Sequence, residues 1–390
     1  MPVWHLLLLA AAVVELPPVE ISTPRGERHL GRLAELNSAV AVIVVDDVRR
    51  ELPFSQVLEI RFPATATPPD PPGPDDVQVQ LADGSQISGR NFGVVGGEAH
   101  LQTAMFGAWQ AAPTAVSRVR FGPGNSRLNE AWAALVQRES KTDTLVIRKG
   151  ELLDHLSGVI GDVDDKVHFL LEGEEIPVGR DRVFGLIYAR RPAPGAKPAC
   201  QVALRNGDLL QASRVEWNGA GFEARLTSGG TIALPVAALE SLDFSAGKLK
   251  YLSQLEPREV KYTPYFDVVF PYRRDRSLDG GPLRLKGVTY TRGLALHSRT
   301  LLRYRIAGEY SRFQAVMGID QSVEFKGGCV HVVVSGDGKP LFESDVRDGD
   351  QPKPLDLEVR GVRDLEFLVD FAENLDIADH LDLADAKLIK

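Results

Sequence analysis

A pattern recurs four times in the first two-thirds of this chain, and few folds can accommodate it. An alternating strand runs into a glycine turn, two further strands follow, and a short Leu-Pro-type entry leads into a closing strand with an aromatic end. The segments are 19–62, 77–121, 144–188 and 200–244, with turns at Arg25-Gly26, Asp83-Gly84, Lys149-Gly150 and Asn206-Gly207. From turn glycine to closing aromatic the distance is 36 residues (Gly26 to Phe62), 37 (Gly84 to Phe121), 38 (Gly150 to Tyr188) and 37 (Gly207 to Phe244). Such constancy marks one supersecondary unit copied along the chain.

Within a unit, Val77, Val79 and Leu81 alternate with Gln78 and Gln80, so one face of the strand is buried and the other wet. Asp83-Gly84 and Asn206-Gly207 predict tight hairpins, because glycine accepts positive φ at no steric cost. The closing strands repeat the device with Val57, Ile60 and Phe62, with Val116, Val119 and Phe121, and with Leu239, Leu242 and Phe244. A unit of this size has little core of its own. The pattern therefore predicts small twisted sheets, half-barrels or SH3/Sm-like units, over 18–63, 77–122, 143–189 and 199–246, each packed on its neighbours. They act as a scaffold or bind a protein partner that the sequence does not name.

Composition separates the units. Pro68, Pro69, Pro71, Pro72 and Pro74 make 64–75 a stiff, exposed linker. Ala131, Trp132, Leu135 and Val136 fall at helical spacing and predict a connector helix over 129–138. A Pro/Ala linker spans 190–198, and 249–260 leads into a last domain, 258–390.

The net charge of −8 argues against a nucleic-acid backbone as partner. Cys200 and Cys329 belong to no metal-binding spacing and read as small buried hydrophobes; a disulfide between them stays open. At the start, Leu6 to Leu9 and Ala10-Ala11-Ala12 have the shape of a secretory signal over 1–15, although Lys and Arg are missing before the run. It is too short to span a bilayer comfortably, and no later segment reads as transmembrane. A secreted, periplasmic or cell-envelope location follows as an expectation.

The last domain reads as short alternating strands, 301–306, 313–317, 330–334, 355–359 and 365–369, separated by Gly327-Gly328, Asp337-Gly338 and Asp348-Gly349. Many short strands with frequent turns predict an antiparallel sandwich. Six of the eight tyrosines fall between Tyr262 and Tyr310. Tyr304 and Tyr310 alternate within strands and suit the core, whereas Tyr265, Tyr272 and Tyr290 lie nearer loops.

Within this domain stand Arg292-Gly293-Leu294-Ala295-Leu296-His297-Ser298, then Tyr310, Phe313, Gly318-Ile319-Asp320, Asp337-Gly338 and Asp379-His380-Leu381-Asp382-Leu383-Ala384-Asp385-Ala386. In that order and at those distances, residues 262–390 resemble the NPCBM family of carbohydrate-binding modules, which includes the CBM51-type lectin domains. Where the family usually carries Trp in its closing acidic motif, this chain has Leu383. The resemblance implies a jelly-roll of the galactose-binding-like type and a glycan or glycoprotein partner, with a galactose-like sugar as one candidate. Sugar recognition needs flat apolar faces and fixed polar groups. On that basis Tyr290, Arg292, His297, Asp320 and His380 are the expected carbohydrate-binding residues, although a histidine beside an apolar stretch is also an ordinary core group. Asp376, Asp379 and Asp382, with Asp385, recur every third residue. Two readings stand for them: calcium ligands, which the resemblance favours and oxygen-rich clusters suit, or a solvated acidic loop ahead of a last strand at 386–389.

The chain contains no GxSxG, HExxH, P-loop or GxGxxG signature, and no motif singles out a carboxylate pair of the glycosidase kind. The expectation is an all-β, multi-domain, non-catalytic binding protein. Two alternatives stand beside it: an assembly protein whose sandwich packs on protein, and a glycoside hydrolase with an unrecognised site.

Overall fold

The computed structural model of the chain describes residues 16–63, 73, 75–189, 197–265, 268–373 and 375–390. The leader-like run 1–15 and most of both proline linkers lie outside them. The described chain is almost entirely β and divides into two compact units, one ending at Ala246 and one spanning Gly247–Lys390.

The first unit contains the four repeats, each built from five strands rather than the four expected. The second repeat runs Val77–Leu81, Gln86–Val95, Glu98–Thr103, Gly107–Ala111 and Val116–Phe121. The extra strand is the segment leading into the Pro turn, which hydrogen-bonds to its predecessor before a short 3₁₀ turn at Pro113–Ala115. In every repeat the first strand pairs with both the second and the fifth, and the second, third and fourth follow as a meander. Gly84 and Gly207 turn the first hairpins at φ 91° and 87°. Each long second strand breaks register against the third, between Leu33 and Glu35, Arg90 and Gly93, Ile160 and Val163, and Ala212 and Arg214. A bulge at one recurring place bends that strand, so the sheet curls over its own apolar face.

Curling leaves the closing strands free to pair between repeats. Glu59–Arg61 pairs antiparallel with Leu239–Asp243, and Val116–Phe121 pairs with Val183–Ile187, which joins the first repeat to the fourth and the second to the third. One apolar core runs through all four repeats and includes Cys200. The helix occupies Ser126–Val136, three residues earlier than its periodicity suggests, because Asn125 caps it by accepting the Leu128 amide at 2.9 Å. Its Leu128 and Trp132 pack on Val146 and Phe184.

The second unit is a β-sandwich. One sheet carries, in order, Arg273–Arg274, Gly293–His297, His380–Ile389, Arg312–Ile319 and Lys353–Glu358, and Leu249–Tyr251 pairs with the end of His380–Ile389. The other carries Glu259–Tyr262, Thr300–Arg305, Asp364–Phe371, Cys329–Gly336 and Lys339–Arg347. Leu294, Leu296, Phe313 and Met317 of the first face Leu302, Tyr304, Val332 and Phe367 of the second in one core. The unit starts about ten residues before the expected boundary, since Leu249–Tyr251 completes its sheet. Tyr304 is core, Tyr272 and Tyr310 pack partly against it, and Tyr265 is half exposed. Both cysteines are buried, and among the described residues no disulfide joins them.

Candidate functional site

His297 ends one strand of the sandwich and His380 begins the antiparallel neighbour, and they are register partners. Antiparallel pairing therefore delivers two histidines, 83 positions apart in sequence, to the same end of one sheet. Their rings lie 5.5 Å apart. Phe270 stacks on His297 at 4.3 Å and 13° and touches His380 at 5.4 Å. This aromatic group floors a cavity of about 750 Å3 whose walls are loops from the same end of the sandwich. Its mouth is apolar: Phe325, Val268 and Ile377 are 74%, 55% and 50% exposed. Asp279, Glu324, Asp376 and Arg284 supply charge around it.

The floor is built to stay neutral. Nδ1 of His297 lies 2.8 Å from the Ser298 carbonyl, which can only accept, so Nδ1 carries the proton and Nε2 remains an acceptor. Burial depresses the His297 pKa, and the neighbouring His380 depresses it further. Burial likewise depresses the pKa of His380, against the opposing pull of Asp279 and Asp320. Nδ1 of His380 is 3.6 Å from an Asp279 oxygen and, among the described residues, has no hydrogen bond. Two uncharged imidazoles with free hydrogen-bonding capacity, set against an aromatic ring, suit a neutral polyhydroxylated ligand better than an ion.

Asp320 lies behind the cavity as a brace. Its amide donates to the His380 carbonyl at 2.9 Å, one of its oxygens accepts the Ser322 amide at 2.6 Å and the Ser322 hydroxyl, and the other faces the Arg284 amide at 3.4 Å. Burial and the adjacent Asp320 push Asp382 well above the usual carboxylate range, favouring its neutral form. Asp379 fixes the turn on the opposite wall by accepting the Cys329 amide at 2.9 Å. Leu375 and Ala378, both non-glycine, hold φ of 62° and 61° in that turn. Left-handed backbone at such residues persists only where the surroundings impose it.

Of the five expected binding residues, His297 and His380 line the cavity and Asp320 supports it. Tyr290 and Arg292 are placed elsewhere. Tyr290 packs with Leu278, Leu283 and Ala295, and Arg292 pairs with Asp275 at 2.9 Å. Arg292 precedes the strand that His297 ends, and five residues of extended chain separate the two by about 17 Å. Of the three expected calcium ligands, Asp376 lines the cavity. Among the described residues no three His, Cys, Asp or Glu side chains are grouped to hold a metal. The reason is local: the last strand begins at His380 rather than at 386, so Asp382 lies in a strand and Asp376 in the turn before it, and every-third spacing does not gather side chains on one face of a strand. Phe270, Val268, Asp279, Arg284 and Phe325 were not legible as site residues. Phe325, an aromatic next to Lys326-Gly327-Gly328 at a turn, carried the one available signal.

Comparison with known proteins adds a family to this geometry. Residues 248–389 match the model of the NPCBM/NEW2 domain. Over 71 residues the chain is 45% identical to a protein of Renibacterium salmoninarum provisionally named an endo-alpha-N-acetylgalactosaminidase; that match covers 18% of this chain and 5% of the relative. Among solved structures, the CBM51 of Clostridium perfringens GH95 in complex with methyl-galactose is 25% identical, with 36% of this chain and 99% of that chain covered and a TM-score of 0.33. CBM51-2 in complex with GlcNAc and the INT domains of Clostridium perfringens ZmpB are 24% identical over 47% of this chain and 42% of that chain, with a TM-score of 0.34. With the sandwich, the paired histidines and the family match in agreement, residues 248–389 are an NPCBM domain.

Proposed function

We propose that this chain is a non-catalytic glycan-binding protein whose NPCBM domain takes a sugar into the cavity floored by Phe270, His297 and His380. The observation that carries the reading is the pairing of that neutral floor with the exposed Phe325 at the mouth. A pyranose offers hydroxyls and a flat C–H face, and this site offers acceptors and an exposed aromatic ring in a space suited to a small ligand. A galactose-like sugar is the first candidate. The four repeats serve as a scaffold or as the seat of a protein partner. The chain works outside the cytoplasm, a reading that rests on residues 1–15 and is checked by sequencing the N-terminus of exported protein.

The test is a glycan array probed with the full-length chain and with Phe325→Ala. Because Phe325 is so exposed, its removal should change stability by no more than about 0.5 kcal/mol while weakening binding about tenfold, on the scale of one aromatic contact. A folded chain that binds no glycan would refute the proposal and favour a protein ligand for the apolar mouth. A second reading has its own observation: Asp279, Glu324 and Asp376 all line the cavity. Hydrolysis of an aryl glycoside, lost in Asp376→Asn, would replace binding by catalysis.

A further inference from the structure

Three of the four repeats open with the same turn. In each, the amide three positions before the turn glycine donates to the carbonyl one position after it: Thr23 to Glu27, Leu81 to Ser85 and Leu204 to Asp208, at 2.9, 2.8 and 2.9 Å. The third repeat is the exception. Lys149 and Leu152 flank a two-residue turn there, and Leu153 just beyond it packs in the cluster built by helix Ser126–Val136. Antiparallel pairs alternate between bonded and non-bonded. In the first repeat the bond at Thr23 and Glu27 therefore makes Ile21 and His29 a bonded pair, and the amides of Arg28 and Leu30 turn away from the first strand. Pairing with the third strand begins only at Arg32 and Val44, so the Leu30 amide faces an open edge.

The second and fourth repeats fill this edge for each other. Ser88, four positions after Gly84, donates its amide to the Asp208 carboxylate at 2.9 Å and its hydroxyl to the same group at 2.7 Å. Gln211, four positions after Gly207, donates its amide to the Ser85 hydroxyl oxygen at 2.8 Å. The roles match on both sides: the amide four after one glycine meets the side chain one after the other. Gln86 and Leu209, each two after its glycine, stand opposite each other. This reciprocity is the mark of a two-fold contact, in which one surface meets its own equivalent. Ser85 and Asp208 are buried.

The first repeat holds the same parts in the open. Glu27 stands one after Gly26 and Leu30 four after it. Glu27 is exposed, and its carboxylate approaches Nε2 of His29 at 3.8 Å. Leu30 is 68% exposed. An exposed leucine on an open amide edge is a ready template for association. Arg28, two after the glycine, is held 3.2 Å from Glu20, whose charge offsets the repulsion that two facing arginines would otherwise bring.

We propose that the first repeat docks on the first repeat of a second copy of this chain, by the two-fold contact that joins the second repeat to the fourth. Glu27 of each copy accepts the Leu30 amide of the other, and the two Leu30 side chains leave water. With one such surface per chain the contact closes as a dimer rather than propagating as a filament. The dimer carries two sandwich domains, which raises avidity for a repeated glycan, a consequence that rests on the glycan reading above.

Sedimentation velocity of the full-length chain over a wide concentration range tests the association without any sugar. A monomer–dimer equilibrium is expected. Leu30→Asp should weaken it about tenfold or more, whereas Leu170→Asp, at an exposed apolar position of the third repeat, leaves it unchanged. A chain that is monomeric at every concentration, or a dimer that Leu30→Asp does not weaken, overturns the proposal. Should Leu30→Asp fail to fold, cross-linking decides. The two-fold contact sets Arg28 opposite Arg28 of the other copy, at the separation of directly paired strand residues, about 4.5–5.5 Å, which a disulfide can span. Arg28→Cys should therefore give a disulfide-linked dimer under oxidised glutathione, since Cys200 and Cys329 are both buried. Cross-linking no faster than that of Leu170→Cys refutes the contact.

Discussion

Gly328 sits where the sandwich grips the turn that shapes the sugar cavity, and Gly328→Ala should loosen that grip. Its φ is not positive, so alanine can adopt the backbone. The obstacle is space. A Cβ there would lie inside van der Waals contact of the Ala378 carbonyl oxygen and 2.8 Å from its carbon, whereas nonbonded carbons settle at about 3.5–4.0 Å. The obstructing atoms are backbone, so no rotamer change can relieve the clash and the turn itself must move. The next residue, Cys329, donates to Asp379 in a buried hydrogen bond that this movement stretches. Overpacking costs about 1–3 kcal/mol and an unmet buried hydrogen bond about 1–3 kcal/mol more. At about 2–4 °C per kcal/mol, the melting of the C-terminal unit should fall by roughly 5–20 °C. Asp376, Ile377 and Ala378 line the cavity, so glycan affinity should fall with it. Scanning calorimetry of the full-length chain measures the first effect. Gly281→Ala is the control, since it also lines the cavity but its Cβ would meet only the Ser277 hydroxyl at 3.7 Å. Melting of Gly328→Ala within a degree of wild type would show that the turn is not held in this way.

Asp379 predicts a pH dependence. Burial raises its pKa to about 6, against the Ser298 hydroxyl and the Cys329 amide, so between pH 3.8 and about 6 the folded chain keeps a proton that the unfolded chain has lost. Its contribution to stability is therefore greatest below pH 3.8, falls as pH rises to about 6 and is level above. Asp379→Asn should remove that slope and be the more stable protein at pH 7, by at most about 3 kcal/mol; equal slopes in denaturation series at pH 4 and pH 7 would contradict this. Trp132→Ala should cost the N-terminal unit about 3–5 kcal/mol, because the indole is nearly buried against Phe184 and Gly185. Urea denaturation checks it, and a loss below about 1 kcal/mol would mean that the helix is only loosely docked.

The repeats were legible because strand alternation and turn glycines are local, and the spacing from Gly84 to Phe121 returns at each copy. Their count of strands was not. The segment before each closing turn has weak alternation of its own and becomes a strand only because a neighbour offers it hydrogen bonds. His297 and His380 were legible as residues of interest from their motifs. That they touch was not, because their pairing depends on the register of two strands distant in sequence. Tyr290 and Arg292 were misleading for the complementary reason: nearness in sequence to His297 becomes distance when the intervening chain is extended.

The sequence by itself determined the class of structure. Period-two patterning and glycine turns leave sheets as the way to bury these apolar residues, and the separated motifs assign the last third of the chain to its family. Only the tertiary structure decided which polar groups are lifted out of water together. Phe270, His297 and His380 meet at one end of the sandwich, and Arg118, Arg120 and Asp208 line one cavity of the repeats. Both outcomes depend on strand register and loop packing, which are set by long-range contacts, whereas hydrophobic period is set within a few residues of chain.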